Sequence, residues 1–175
     1  MSLLHPPTTH YTNTKAFEVG IKAHKDIYDF YTEGREDIGE LAKAGIEWLE
    51  SNGFIFIVGE QLRVNLEHKY GGRIDGIFKG KDDKYYLVDY KFLNSNNLST
   101  SYFLQMEAYC HFSHYVENNN IFLPLLEPTL PSPLLLVINK KDYRVTPHYV
   151  KLNPKLLRVF LGACSVWHYK FALLK

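Results

Sequence analysis

Residues 72–78 read Gly-Arg-Ile-Asp-Gly-Ile-Phe, and residues 86–91 read Tyr-Leu-Val-Asp-Tyr-Lys. Both stretches are rich in β-favouring residues, and the short polar turn at 80–83 predicts that they form a hairpin. Successive side chains of a strand leave opposite faces, so Asp89 and Lys91 point to the same side. Neighbouring strands lie about 4.8 Å apart, so we expect Asp75 to approach Asp89.

Paired carboxylates beside a lysine suggest a chemical role. Two ionised carboxylates that lie close together repel each other and lose hydration. A divalent cation removes both penalties, and oxygen ligands select a hard ion such as Mg²⁺ or Mn²⁺. A lysine beside that ion orients or deprotonates water, or neutralises charge that builds up on a phosphate. The pattern favours metal-assisted phosphodiester hydrolysis; the alternative is an ordinary exposed strand face.

Helical and strand periodicities surround these residues. Apolar residues at steps of three and four predict a first helix from Lys15 that ends at Gly34, and a second helix follows over 38–49. A third helix is predicted from about Thr100 to Val116, and a last one from Pro154 to about Phe171. Strands are predicted at 54–67, 73–78, 84–92, 134–139 and 144–151.

The order ααβββαββα predicts one α/β domain with a mixed central sheet of about five strands flanked by helices. Residues 1–14 are rich in Pro and Thr, which predicts an extended lead-in, and residues 15–175 form the domain. A length of 175 residues suits one domain.

Charge and cysteine content exclude several classes of protein. Lys+Arg number 20 and Asp+Glu 19, so there is no polybasic arm, and a nucleic-acid site has to be a local cleft. Two cysteines, Cys110 and Cys164, exclude a disulfide framework, a four-cysteine zinc site and a cysteine-held iron–sulfur cluster. We see no secretion signal and no run long enough to cross a bilayer, so we expect a cytoplasmic protein, bacterial or phage-encoded, that does not bind membranes.

The spaced motifs resemble a known family. Gly-x-x-Asp at 72–75, Asp-Tyr-Lys at 89–91 and Gln-x-x-x-Tyr at 105–109 look like the PD-(D/E)XK nuclease superfamily, in particular its RecB-like exonuclease branch. Gly-x-x-x-His at 20–24 and Glu60 on the strand before the first Asp match two further positions. The resemblance extends from about Phe17 to Tyr115 and implies a restriction-endonuclease-like core. Two cysteines separate this chain from the members that hold an iron–sulfur cluster.

The resemblance implies a role for each matching residue. Asp75 and Asp89 would be catalytic carboxylates and metal ligands, and His24 and the Tyr90 carbonyl would complete the shell. Lys91 would be the catalytic lysine. Without the family context, His24 would be a core histidine satisfied by a backbone group.

Three further residues border this shell. Glu60 would assist catalysis by holding a second metal, a bound water or the lysine, or would pair with Arg63 or Lys91 for structure alone. Gln105 and Tyr109 are spaced i, i+4 on one helix face. The resemblance implies that they contact DNA or support the catalytic strand; the alternative is ordinary burial against the sheet.

The expected function is that of a deoxyribonuclease that needs one or two Mg²⁺ or Mn²⁺ ions and degrades linear DNA from its ends. The alternatives are a structure-specific or restriction-type endonuclease, and an inactive nuclease-fold domain that binds nucleic acid or a protein. RNA stays open as a substrate, because none of these motifs senses a 2′-hydroxyl. The chain has no P-loop, so any unwinding would come from a helicase or recombination partner. The sequence does not indicate an oligomeric state.

Overall fold

The computed structural model describes residues 14–95, 97–117, 121–125 and 130–172. The helices are α1 (Thr14–Glu33), α2 (Glu40–Ser51), α3 (Thr100–Cys110) and α4 (Pro154–Ala172). The strands are β1 (Ile55–Gly59), β2 (Leu62–Asn65), β3 (Tyr70–Arg73), β4 (Gly76–Lys79), β5 (Tyr85–Leu93), β6 (His114–Glu117), β7 (Ile121–Pro124), β8 (Ser132–Asn139) and β9 (Val145–Tyr149).

The central sheet has five strands in the order β1-β4-β5-β8-β9. β5 and β8 run parallel over eight paired positions, and the other neighbours are antiparallel. The parallel strands β5 and β8 are largely buried, which explains their nearly continuous apolar sequences. The prediction of an α/β fold with a mixed sheet of about five strands flanked by helices is therefore confirmed.

Alternation along β5 divides the interior into two cores. Val88, Tyr90 and Phe92 pack with residues of α1 and α2. Leu87 faces the other way and packs with residues of α3 and α4. Asp89 and Lys91 follow Leu87 at steps of two, so they leave the sheet on the α3 side.

A second, antiparallel sheet with the order β3-β2-β6-β7 was not predicted. Five strands precede α3 instead of three. The predicted strand 73–78 is broken at Ile74 and Asp75, because β3 pairs with β2 while β4 pairs with β1 and β5. Residues 70–72, which lie outside the predicted strands, belong to β3. The break places Asp75 at the junction of the two sheets.

The third helix is shorter than predicted. It ends at Cys110, and residues up to Val116, which were assigned to it, instead form most of β6. β6 pairs with β2, with Tyr115 opposite Arg63, and the Ser113 N–H donates to the Val64 carbonyl. The five residues 112–116 fit the period of a helix as well as that of a strand. Pairing with the edge of β2 therefore decides that this segment becomes a strand.

The predicted lead-in at 1–14 lies outside the described residues except for Thr14, where α1 begins. Among the helices of the described ranges, none has the length and apolar character needed to cross a membrane.

Candidate active site

Asp75 occupies the break between β3 and β4. Its carbonyl accepts a hydrogen bond from the Glu60 N–H at 3.3 Å. A Cβ at Gly59 would lie 2.9 Å from the same carbonyl, so this close approach of two backbones requires glycine. The pairing of Gly76 with Val88 brings Asp75 level with Asp89, as the hairpin predicted.

The Asp75 side chain turns back onto β5. Its Oδ2 accepts a hydrogen bond from the Tyr90 N–H at 2.8 Å. A side chain thus supplies the acceptor at a position where β4 has already ended. This contact fixes the carboxylate beside the segment that carries Asp89 and Lys91.

The two aspartates share a poorly hydrated environment. Burial is the main cause that raises the pKa of Asp75 to about 6, although Lys91 and the Tyr90 N–H oppose it. Burial also raises the pKa of Asp89 to about 6, and the negative charge of Asp75 adds to the effect. At both carboxylates burial outweighs the nearby positive charge of Lys91, which is the condition predicted for a cation site.

Lys91 is held on three sides. Its Nζ lies 2.6 Å from Asp89 Oδ2, donates to Gln105 Oε1 at 3.3 Å, and stands 5.1 Å from the centre of the Tyr102 ring. Burial acts to lower the pKa of Lys91, but the charges of Asp89 and Asp75 outweigh it and raise the pKa above its usual value. The side chain is therefore a fixed ammonium ion.

His24 reaches the site from α1. Its ring packs edge-on against Tyr90 and Phe92, with centroid distances of 5.8 and 5.2 Å, and its Nδ1 lies 3.3 Å from Asp75 Oδ2. Burial is the main cause that lowers the pKa of His24, so the imidazole is neutral at pH 7. This polar partner is a carboxylate, whereas a core histidine would use a backbone group.

The stripe of α1 that carries His24 is only partly buried. Phe17 and Ile21, which precede His24 on this apolar stripe by seven and three positions, are 72% and 54% exposed. Ala23 and Ile27, which flank His24, are in the core and attach this part of α1 to the sheet. The helix therefore positions His24 through its second half alone.

Glu60 lies between β1 and β2 in a left-handed conformation, with φ of 50°. A non-glycine residue in this region is uncommon and is often found at functional sites. Possible ligand atoms of His24, Glu60 and Asp75 all lie within 4.8 Å of one another, and no other group of three such residues does so in the described ranges.

This donor set fits a hard or borderline divalent cation, because it combines carboxylate oxygens with a neutral imidazole nitrogen. Asp89 does not belong to the compact group. Its Oδ2 is buried without a hydrogen bond of good geometry, and its 2.6 Å contact with Lys91 is an ion pair. The resemblance implied Asp89 as a ligand and gave Glu60 the role of holding a second metal, a bound water or the lysine. In the structure it is Glu60 that lies in the compact group with His24 and Asp75.

α3 forms the opposite side of the site. Gln105 contacts Lys91, and the Tyr109 ring packs on Gly72, where an added Cβ would lie 2.7 Å from a ring carbon. Burial is the main cause that raises the pKa of Tyr109. Both residues border the site, where Gln105 contacts Lys91 of β5 and Tyr109 packs against Gly72 of β3.

Two neighbours of the site were missed in the sequence. Tyr102 precedes Gln105 and Tyr109 by three and seven positions, so their common helix face was a usable signal. Arg73 precedes Asp75 by two positions, and its Nη1 donates to the Glu60 carbonyl at 3.2 Å. Nothing in the local sequence marks that contact, because it depends on the break between β3 and β4.

The assembled site combines a group of carboxylates, a neutral imidazole and a buried ammonium. No protein-family model matches the chain, and a search of curated proteins gives no match. What the protein does is therefore inferred from its own residues. A cation site with a fixed positive side chain beside it is suited to reactions in which negative charge grows on a bound phosphate.

Proposed function

We propose that the protein is a metal-dependent nuclease of the PD-(D/E)XK type that hydrolyses phosphodiester bonds of DNA. The observation that carries this proposal is the convergence of His24, Glu60 and Asp75 within 4.8 Å. Beside this group, the Lys91 ammonium is fixed 2.6 Å from Asp89. Each of these features alone also occurs for structural reasons. Together they supply the metal ligands and the positive charge that phosphoryl chemistry needs.

The cation that this proposal requires is Mg²⁺ or Mn²⁺, as one or two ions. His24, Glu60 and Asp75 would hold it, and Asp89 and the Tyr90 carbonyl are the nearest further candidates. When bound, the ion acts as a Lewis acid toward phosphate oxygens and lowers the pKa of bound water. Because His24 is neutral, one of its ring nitrogens carries a lone pair that can bind the ion.

Lys91 supplies positive charge at the point where the phosphate becomes more negative. Because its pKa is raised, Lys91 is protonated and acts as a cation and proton donor. It could act as a base only after it had given up that proton. Asp89 and Gln105 hold the ammonium in position, which avoids reorganisation during the reaction. Burial of this pair strengthens the electrostatic effect.

An exonuclease is the preferred form of this activity. The support is the position of His24, Gln105 and Tyr109, the residues by which the chain resembles the RecB-like branch. A structure-specific or restriction-type endonuclease is the alternative within the same chemistry. Because the proposed substrate is DNA, we propose that the protein works in the cytoplasm.

The test compares end-labelled linear DNA with covalently closed circular DNA, each with Mg²⁺, Mn²⁺ or EDTA. The matched control is Lys91→Ala purified by the same procedure. We expect the wild type to degrade linear DNA in Mg²⁺ or Mn²⁺ and to leave the circle intact. Linearisation of the circle would establish the endonuclease alternative. Hydrolysis no faster than that of Lys91→Ala would contradict the proposal and, if DNA is still bound, support an inactive binding domain.

A further inference from the structure

Arg73, the last residue of β3, lies beside the carboxylate group of the candidate site. Its Nη1 is 3.2 Å from the Glu60 carbonyl oxygen and 3.7 Å from Glu60 Oε2. The side chain is nevertheless 63% exposed. A permanently charged group therefore lies at the solvent side of the residues that would hold the cation.

Most N–H donors of the Arg73 guanidinium make no contact with Glu60. A guanidinium carries five N–H donors in a planar fork, and the contacts with Glu60 use one terminal nitrogen. Among the described residues, no further hydrogen bond or ion pair joins the Arg73 side chain. An edge of the guanidinium is thus left for a planar or tetrahedral anion that arrives from solvent.

Stability alone is a weak reason for an arginine at this position. An exposed ion pair contributes little to stability. Hydrogen bonds to a charged partner contribute more, and Arg pairs with phosphate through two parallel bonds that Lys does not offer. The contact with Glu60 also restricts the side chain in advance, which lowers the entropy that binding would cost.

We propose that Arg73 binds a phosphodiester group of the DNA, either the scissile phosphate or its immediate neighbour. This inference rests on the proposed nuclease function and adds a substrate-binding residue to it. A phosphate that enters next to Glu60 meets the free edge of the guanidinium. The resulting site pairs the largely buried Lys91 with the exposed Arg73.

A competing role for Arg73 is to orient Glu60 alone. The two roles predict different measurements. A phosphate-binding arginine affects DNA affinity and its salt dependence but leaves metal affinity unchanged. An arginine that only orients Glu60 affects the affinity for the metal first, because Glu60 belongs to the donor group.

The experiment measures binding of a labelled DNA duplex by fluorescence anisotropy, with Ca²⁺ as the cation and gels to verify that the DNA stays intact. Wild type is compared with Arg73→Gln, Arg73→Lys and the control Arg158→Gln, whose exposed arginine is on α4, an element that supplies none of the site residues. We expect Arg73→Gln to bind about tenfold more weakly. The slope of log K against log salt should become shallower by about 0.9, the value for one duplex phosphate contact. Arg73→Lys should keep the slope and lose part of the affinity, and Arg158→Gln should match the wild type.

A Mn²⁺ titration followed by thermal shift completes the test and should give the same midpoint for wild type and Arg73→Gln. The inference is overturned if Arg73→Gln binds DNA as the wild type does, or if its Mn²⁺ midpoint rises together with its loss of DNA affinity. Arg73→Lys keeps the test valid if the Gln variant does not fold. A wild-type protein that neither binds nor hydrolyses DNA would instead overturn the proposed function, and the Arg73 inference with it.

Discussion

Nδ1 of His24 lies 3.3 Å from Oδ2 of Asp75, although one residue is on a helix and the other lies in the break between two strands of different sheets. The same Oδ2 accepts the Tyr90 N–H at 2.8 Å. One carboxylate oxygen thus joins α1, β5 and the sheet junction. A divalent cation bound by the imidazole and this carboxylate would strengthen the same connection.

Replacement of His24 by alanine should weaken Mn²⁺ binding, because a donor nitrogen is removed from the group. We expect a loss of about tenfold or more in affinity, by comparison with the 10–100-fold typical of residues that only support metal ligands. Hydrolysis should fall in parallel, and excess Mn²⁺ should restore part of it. Wild type should bind Mn²⁺ more tightly than Mg²⁺, since an imidazole nitrogen favours the softer ion.

The measurement is a metal titration followed by thermal shift, with the exposed His68→Ala as the matched control. An unchanged Mn²⁺ midpoint in His24→Ala would mean that His24 is a structural partner of Asp75 and not a ligand.

The free energy of unfolding of the metal-free protein should fall as pH rises from about 4 to about 6. Burial raises the pKa of Asp75 and of Asp89 from 3.8 to about 6, so the folded state binds more protons than the unfolded state in this window. Stability then decreases with increasing pH. Above this window the ionised carboxylates are ready ligands, so added Mn²⁺ should raise the melting temperature more at pH 7.5 than at pH 5.

Melting curves in EDTA and in Mn²⁺ at the two pH values check this prediction. The double variant Asp75→Asn/Asp89→Asn should lose most of the pH dependence, whereas Glu67→Gln, at an exposed position, should keep it. The prediction would be contradicted if the stability of the wild-type protein changed between pH 4 and pH 6 in the same way as that of the double variant.

The Asp89–Lys91 pair should show strong coupling. Lys91→Met leaves a buried carboxylate without its partner, and loss of one member of such a pair costs about 3–5 kcal/mol. Asp89→Asn/Lys91→Met removes both charges and should recover much of that loss, while hydrolysis stays absent in each variant. Urea denaturation and the end-label assay measure the two effects. Near-normal turnover in a folded Lys91 variant would exclude the proposed role of the ammonium.

Tyr102 should act by positioning Lys91. A cation–π contact is worth about 0.5–2 kcal/mol, so Tyr102→Leu should lower kcat by about twofold to thirtyfold with little change in KM. Tyr102→Phe keeps the ring face and should retain near-normal kcat. Equal kcat values for the Leu and Phe variants would show that the ring does not hold the ammonium.

The central sheet could be predicted because its signals are local. Alternation over 84–92 and the turn before it fix the β4–β5 hairpin and the common face of Asp89 and Lys91. The second sheet could not be predicted in this way. The stretch 73–78 was predicted as one strand, but the choice of pairing partners breaks it at Ile74 and Asp75.

The same limit applies to the site. The approach of Asp75 to Asp89 follows from strand spacing, so both were found in the sequence. The position of Glu60 depends on a left-handed residue and on backbone contact with Asp75, neither of which the residue types reveal. Phe17 and Ile21 fit a buried stripe by periodicity, yet they lie beyond the part of α1 that packs on the sheet.

The most direct test of the central claim is the rate of label release from linear DNA as a function of Mn²⁺ concentration, for the wild type and for Asp75→Asn. The substitution keeps the side-chain volume and removes the charge that joins His24, Tyr90 and the cation. We predict saturable, EDTA-sensitive hydrolysis by the wild type and none above background by Asp75→Asn. Equal rates for the two proteins, or no Mn²⁺ dependence in the wild type, would contradict the assignment of a metal-dependent nuclease.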